Sequence, residues 1–244
     1  MPSVLDVGVT PSFLNDGTPA YCPVTLEPLD IKGRSERNPS VDRLLNEGTY
    51  APANLIVLSL RANRAKGEKT FEDIDQLVSI GEEQDGLTPK EWTRLLALMH
   101  GAWNMAPPRN GVGEAAIVPM ATYPPRHIFT TTCQVLQLSL LEQLTGPHYP
   151  GFLRYWLHVT AEGGGYVGDF FMLSDMIRIV VQQEQAFPPN VWQNERVFDT
   201  YFDWYVQCHK TIWDELESLR AASAYGVDMN GMREKWLLNA RYRQ

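Results

Sequence analysis

The apolar run Leu55-Ile-Val-Leu-Ser-Leu60 constrains this chain more than any other segment. It is rich in leucine and β-branched residues, follows the turn at Pro52, and passes directly into Arg61-Ala-Asn-Arg-Ala-Lys66, whose composition favours helix. A strand that feeds a short helix is the expected outcome. Upstream, AYCPVTLEPLD is strand-like, IKGRSERNPS is a polar basic loop, and a turn falls around Asn46 to Gly48. Ala20 to about Ile80 therefore forms one compact unit. Residues 1–19 mix apolar residues with Gly, Pro, Asp and Asn, which suggests an arm or short edge strand rather than a helix.

The remainder has helical periodicity. Thr70 caps a helix with Asp73 three residues on, carrying Phe71, Ile74, Leu77 and Ile80 to a stop at Gly81. The polar break at 82–86 places a domain boundary there, giving residues 1–81 and 82–244. Thr88-Pro-Lys-Glu91 opens the next helix, through Trp92, Leu95 and Met99. The proline-rich stretch 107–126 predicts no helix, with Val118 and Tyr123 tucked inside. Apolar residues then recur at helical spacing over His127–Leu144, Gly168–Ala186, Val191–Ala222 and Asn230–Arg241. The fold class is α+β: a small β-containing N-terminal module, then a mainly α-helical domain.

Composition excludes several classes. The net charge of −8 over 244 residues is a poor overall match to a polyanion, so any nucleic-acid contact must be local. That locality exists, because residues 31–66 hold seven basic and three acidic side chains, a net +4 within an acidic whole. No apolar run approaches the roughly 20 residues that span a bilayer, and no basic-then-apolar leader opens the chain. We expect a soluble, cytoplasmic protein with no membrane partner. Cys22, Cys133 and Cys208 are too scattered for a disulfide framework or a CxxC zinc set. The first 99 residues contain no histidine.

The stretch Asn38-Pro-Ser-Val-Asp-Arg43 through Asn54 to Asn63-Arg-Ala-Lys66-Gly67 resembles the HNH endonuclease family, the ββα-metal or His-Me finger nucleases. In that family a strand ends in Asp-His, a GY-type loop leads to a second strand beginning with Asn, and a helix bearing Asn or His and a Lys completes the site. The counterparts are Asp42-Arg43, Gly48 to Tyr50, Asn54, and Asn63 with Lys66. Pro39-Ser-Val-Asp-Arg43 matches the PSxDR variant familiar from phage-encoded relatives. Two CxxC pairs surround this core in many members. The equivalent places here are Cys22-Pro-Val-Thr25 and Ser59-Leu-Arg-Ala62, so no structural zinc is expected. The resemblance covers about residues 20–80 and is silent on the helical part.

What the resemblance implies is metal-dependent phosphodiester hydrolysis, of phage or mobile-element type, with Asp42, Arg43, Asn54 and Asn63 as the site. Asp42 and Asn63 would hold Mg²⁺ or Mn²⁺, since one carboxylate and one amide oxygen suit a hard cation that keeps several waters. Asn54 would brace the loop. The family's base is the imidazole that follows the Asp, and Arg43, with a pKa above 12, cannot replace it. Arg43 can instead clamp a phosphate, which leaves hydrolysis weak or absent unless His100 or His127 folds over the site. Arg34, Arg37, Arg43, Arg61, Arg64 and Lys66 are the candidate nucleic-acid contacts, with DNA favoured. The alternative is a catalytically silent HNH-derived module that binds nucleic acid or protein. A protein partner or a second copy would then dock through the aromatic residues of the helical domain, which otherwise form its core. Blander roles stay open for single residues: Asp42 as a turn or cap residue, Asn63 as a helix N-cap, Arg61, Arg64 and Lys66 as a solvated helix face, and Cys22 as a buried small hydrophobe.

Overall fold

The computed structural model describes residues 5–106, 117–125, 127–184 and 187–222. The chain is α+β, and its described residues hold one two-stranded antiparallel sheet among helices. It divides into two compact units, Met1–Thr131 and Thr132–Gln244.

The first unit opens with a short helix where an extended arm was expected. Helix α1 (Pro11–Asp16) forms because Thr10 accepts a hydrogen bond from the Phe13 N–H and Pro11 starts the first turn. Strand β1 (Pro39–Arg43) pairs with β2 (Leu55–Ser59), with Pro39 opposite Ser59 and Arg43 opposite Leu55. Every residue of β2 is buried, which is why its sequence is continuously apolar rather than alternating. The strand ends one residue short of the apolar run, at Ser59, whose hydroxyl accepts from the Ala62 N–H and so caps α2 (Leu60–Lys66).

Two further helices, α3 (Phe71–Ile80) and α4 (Pro89–Met105), each begin with a complete capping box, Thr70 with Asp73 and Thr88 with Glu91. Phe71 of α3 stacks on Trp103 of α4, ring centroids 4.4 Å apart. Helix α4 is bound to the sheet region by polar contacts as well. Glu91 pairs with Arg61 at 2.6 Å, and the buried Arg94 donates to the Val24 carbonyl at 3.1 Å. These contacts move the boundary from the expected residues 81/82 to Thr131/Thr132, because the polar break at 82–86 is a turn inside one core. Residues 117–125 form no helix and bury Val118 and Tyr123. The rest of the proline-rich stretch, 107–116 and 126, lies outside the described residues.

The second unit contains α5 (Thr132–Thr145), α6 (Tyr149–Glu162), α7 (Val167–Glu184), a 3-10 turn Pro188–Gln193, and α8 (Glu195–Ala222). The helix expected from His127 begins only at Thr132, and α6 was not expected, since Pro150 and Gly151 in its first turn resemble a loop. Trp156, Phe170, Trp192, Tyr201 and Trp204 are all buried, so this aromatic set is core. Two of its three indole N–H groups find acceptors, Trp204 donating to Thr160 Oγ1 at 2.9 Å and Trp156 to Gln143 Oε1 at 2.7 Å, whereas that of Trp192 is buried with no acceptor among the described residues. Helix α8 breaks regular geometry at Cys208, where Gly163 presses on it; a Cβ on Gly163 would lie 2.6 Å from the Cys208 Cβ. The helix expected over 230–241 lies outside the described residues. Among the described residues, no helix is long and apolar enough to cross a membrane.

Candidate functional site

Facing surfaces of β1 and α2 build the site. Side chains alternate along a strand, so Ser40 and Asp42 share one face of β1, while Asn63 and Lys66, three residues apart, share one face of α2. The two faces meet. Asn63 Nδ2 donates to Ser40 Oγ at 2.7 Å and to the Val41 carbonyl at 3.2 Å, and Lys66 Nζ lies 3.2 Å from Asp42 Oδ2. Sequence reasoning therefore named residues that the fold brings together.

Asp42 is a strand residue, not a turn or cap. Its side chain is 11% exposed. Oδ1 accepts from the Arg43 N–H at 2.8 Å, whereas Oδ2 is closed to solvent and pairs with the Lys66 ammonium at 3.2 Å. Burial pushes the Asp42 carboxyl above its usual range, against the pull of Lys66. Lys66 was expected on phosphate or on a solvated helix face, yet its side chain is fully shut off from solvent. The buried stripe of α2 runs Ala62, Ala65, Lys66, a helical spacing that places the lysine inward. Its Nζ also donates to Asn46 Oδ1 at 2.9 Å, and burial draws the ammonium's pKa down. Asn46 was read only as a turn residue, and nothing in its local sequence announces that contact.

Asn63 sits within α2, and the N-cap is Ser59. With its amide nitrogen turned to β1, its Oδ1 accepts no hydrogen bond from the described residues. One carboxylate oxygen and one amide oxygen are donors of the type a hard divalent cation takes, but the Asp42 oxygen is already paired with the Lys66 ammonium. No cluster of three or more His, Cys, Asp or Glu suited to a metal occurs among the described residues.

Asn54 closes the loop between the strands. Its Oδ1 accepts from the Leu45 N–H at 2.9 Å, and its Nδ2 donates to the Leu45 and Thr49 carbonyls, both at 3.0 Å. Gly48 is required beside it, since a Cβ there would lie 2.6 Å from Asn54 Nδ2. Arg43 points into the same loop. It donates to the Gly48 carbonyl at 3.1 Å and lies over the Tyr50 ring, 4.8 Å from its centroid.

Neither histidine considered as a substitute base reaches Asp42. His100 is buried against Phe71 and Trp103. His127 meets the Leu55 carbonyl at 2.9 Å. The Asn54 carbonyl accepts from the Leu44 N–H, so the next carbonyl, that of Leu55, faces the opposite edge of β2. His127 thus caps the free edge of β2, with that strand between it and β1.

Much of the basic character is neutralised internally. Arg61 pairs with Glu91 and Glu27, at 2.6 and 3.3 Å, and Arg64 with Glu36 at 2.6 Å. Lys32, Arg34 and Arg37 remain exposed and form no ion pair among the described residues. They project from a loop fixed by Asp30, whose Oδ1 accepts from the Lys32 and Gly33 N–H groups, and by Asn38, whose Nδ2 donates to the Asp30 and Gly33 carbonyls. Those backbone N–H groups, Gly33 first, hold the Asp30 carboxyl below the usual range.

The four positions equivalent to zinc cysteines also converge. Buried Cys22 Sγ accepts from the Thr25 N–H at 3.5 Å and the Ser59 N–H at 3.3 Å, and Ser59 Oγ accepts from the Ala62 N–H at 3.3 Å. Cys22 is a buried residue whose sulfur acts as an acceptor for backbone donors. Set against known proteins, the chain matches no protein family, no curated protein and no solved structure.

Proposed function

We propose that the first unit is a metal-dependent nucleic-acid hydrolase module of the HNH type, acting on DNA ahead of RNA with Mg²⁺ or Mn²⁺, and slow. The observation that supports this reading best is the meeting of the Ser40–Asp42 face of β1 with the Asn63–Lys66 face of α2, behind a loop pinned by Asn54. Asp42 and Asn63 would hold the cation, which when bound stabilises the charge developing on the phosphoryl group and leaving oxygen. Arg43, steered by Gly48 and Tyr50, is the phosphate anchor, and Arg34 and Arg37 extend the contact along the strand. Slow turnover follows from the missing base: Arg43 stays protonated, and neither His100 nor His127 faces Asp42.

A second reading is a silent module whose helical unit docks a protein. It is favoured by the apolar side chains left exposed on α7 and α8, Phe171, Met172, Phe202 and Val206. Three of these, with Asp169 and Asp203, line a cavity of about 380 Å³ between the two helices.

Cleavage of supercoiled plasmid, single-stranded DNA and RNA with Mg²⁺ or Mn²⁺, scored alongside gel shift, separates the two. Metal-dependent cutting that Asp42→Ala and Asn63→Ala both abolish is the expected result. Absence of cutting by the wild type overturns the hydrolase and leaves the silent module.

A further inference from the structure

Lys66 is the feature of this site that the hydrolase reading does not use, and the inference drawn from it rests on that reading. We infer that the Lys66 ammonium is the resident cation of the Asp42 carboxylate, a positioning residue that a divalent ion must displace, so that Lys66 sets how weakly the module holds metal.

Three observations carry this. The ammonium lies 3.2 Å from the carboxylate oxygen that is closed to solvent, and it is fully buried there. Asp42 Oδ2 is itself closed to solvent, so a cation gains that oxygen only by taking the place of the ammonium. Besides Asp42, the partner that Lys66 hydrogen-bonds is Asn46 Oδ1 at 2.9 Å, a neutral acceptor.

The physics follows from burial. A buried ion pair is stable only while both charges are present, and removing one leaves the other uncompensated in a poorly solvated place. A divalent cation on Asp42 would strand the ammonium on a neutral amide, with the Arg43 charge close by and only Glu47 opposing it. Removing the lysine's charge instead strands the carboxylate, and a hard cation then supplies the missing counter-charge. Metal affinity should therefore rise when Lys66 loses its charge, the opposite of what a merely structural residue would give.

The test is Mn²⁺ binding to the full chain, read by electron paramagnetic resonance of free Mn²⁺ at fixed pH and ionic strength. Lys66→Gln, which retains a donor for Asn46, and Lys66→Met should each bind one Mn²⁺ about tenfold tighter than wild type, a difference of about 1.4 kcal/mol. Lys66→Arg should bind no tighter, and Asp42→Asn should erase the gain. Equal or weaker binding by folded Lys66→Gln, with wild type binding at Asp42, overturns the role of Lys66 and leaves the hydrolase standing. Failure of every variant to bind Mn²⁺ at millimolar concentration overturns both. Wild type supplies an independent arm that no folding defect can spoil. Acylation of Lys66 by an N-hydroxysuccinimide ester, mapped by mass spectrometry, should rise on Mn²⁺ saturation, and unchanged protection in the metal-loaded protein overturns displacement.

Discussion

Asn54 shows how much a single side chain can hold. Its amide satisfies one N–H and two carbonyls of the loop that follows β1, and no other residue type offers an acceptor and two donors in so small a space. Asn54→Ala would orphan the Leu45 N–H and leave the Leu45 and Thr49 carbonyls with only their turn donors, the N–H groups of Gly48 and Ala51; it should cost about 1–3 kcal/mol of stability, measured as the shift of the urea midpoint at constant m-value. Gly48→Ala should act through the same amide, because its Cβ would lie 2.6 Å from Asn54 Nδ2. A change below about 0.5 kcal/mol in Asn54→Ala would show that the loop does not depend on this residue. At this scale the sequence was informative where a motif has a local geometric reason. The bracing asparagine could be read in advance from the turn at Ala51-Pro52-Ala53, whereas Asp42 and Asn63 were picked out through the resemblance, and local reading alone made them a turn and a cap residue. Lys66 was misread as solvated although the spacing Ala62, Ala65, Lys66 carried the signal. Asn46 was missed because its contact joins residues 20 apart and depends on how the loop closes.

Elements whose ends are fixed by neighbouring residues were the legible ones. The starts of α3 and α4 rest on Thr70 with Asp73 and Thr88 with Glu91, each pair closing within four residues, and the structure has both. Helices α1 and α6 carry Pro in the first turn and lack an acidic residue there, and both were passed over. The boundary was misplaced for a different reason: the contact of Arg61 with Glu91 spans 30 positions and cannot be read from a window. The hairpin at Cys22 and the start of α2 give this scale its prediction. Cys22 Sγ accepts the N–H groups of Thr25 and Ser59, and Ser59 Oγ accepts that of Ala62, so the i+3 bonds of a metal knuckle are present at both segments, with Thr25 and Ala62 at the remaining corners. Restoring cysteine at those corners by Thr25→Cys, Ser59→Cys and Ala62→Cys should create a four-thiolate site that binds one Zn²⁺ per chain. Metal content after dialysis and a rise in melting temperature with Zn²⁺ are the readouts. Sub-stoichiometric zinc in a folded triple variant would show that the four positions are not within reach of one ion.

Charge is the property that only the whole molecule settles. Sequence counting gives seven basic residues between positions 31 and 66, and each phosphate they neutralised would add to the salt dependence of binding. The fold removes three of the seven. Lys66 is buried on Asp42, Arg61 is held by Glu91 and Glu27, and Arg64 is paired with Glu36. Lys32, Arg34 and Arg37 on the Asp30–Asn38 loop remain, with Arg43 beside the site, in a chain whose net charge of −8 repels a polyanion elsewhere. Counterion release scales with phosphates contacted, at about 0.9 per contact on duplex DNA. The logarithm of the binding constant should therefore fall with the logarithm of salt at a slope of about −3 to −4, not the roughly −6 that seven contacts would give. Fluorescence anisotropy of a labelled duplex across a salt series measures it. Arg34→Ala and Arg37→Ala should each make the slope shallower by about one unit, whereas Arg64→Ala, which only releases Glu36, should leave it unchanged. A steep slope, or loss of a full unit on removing Arg64, would mean that DNA opens the internal ion pairs and recruits the α2 cations for itself.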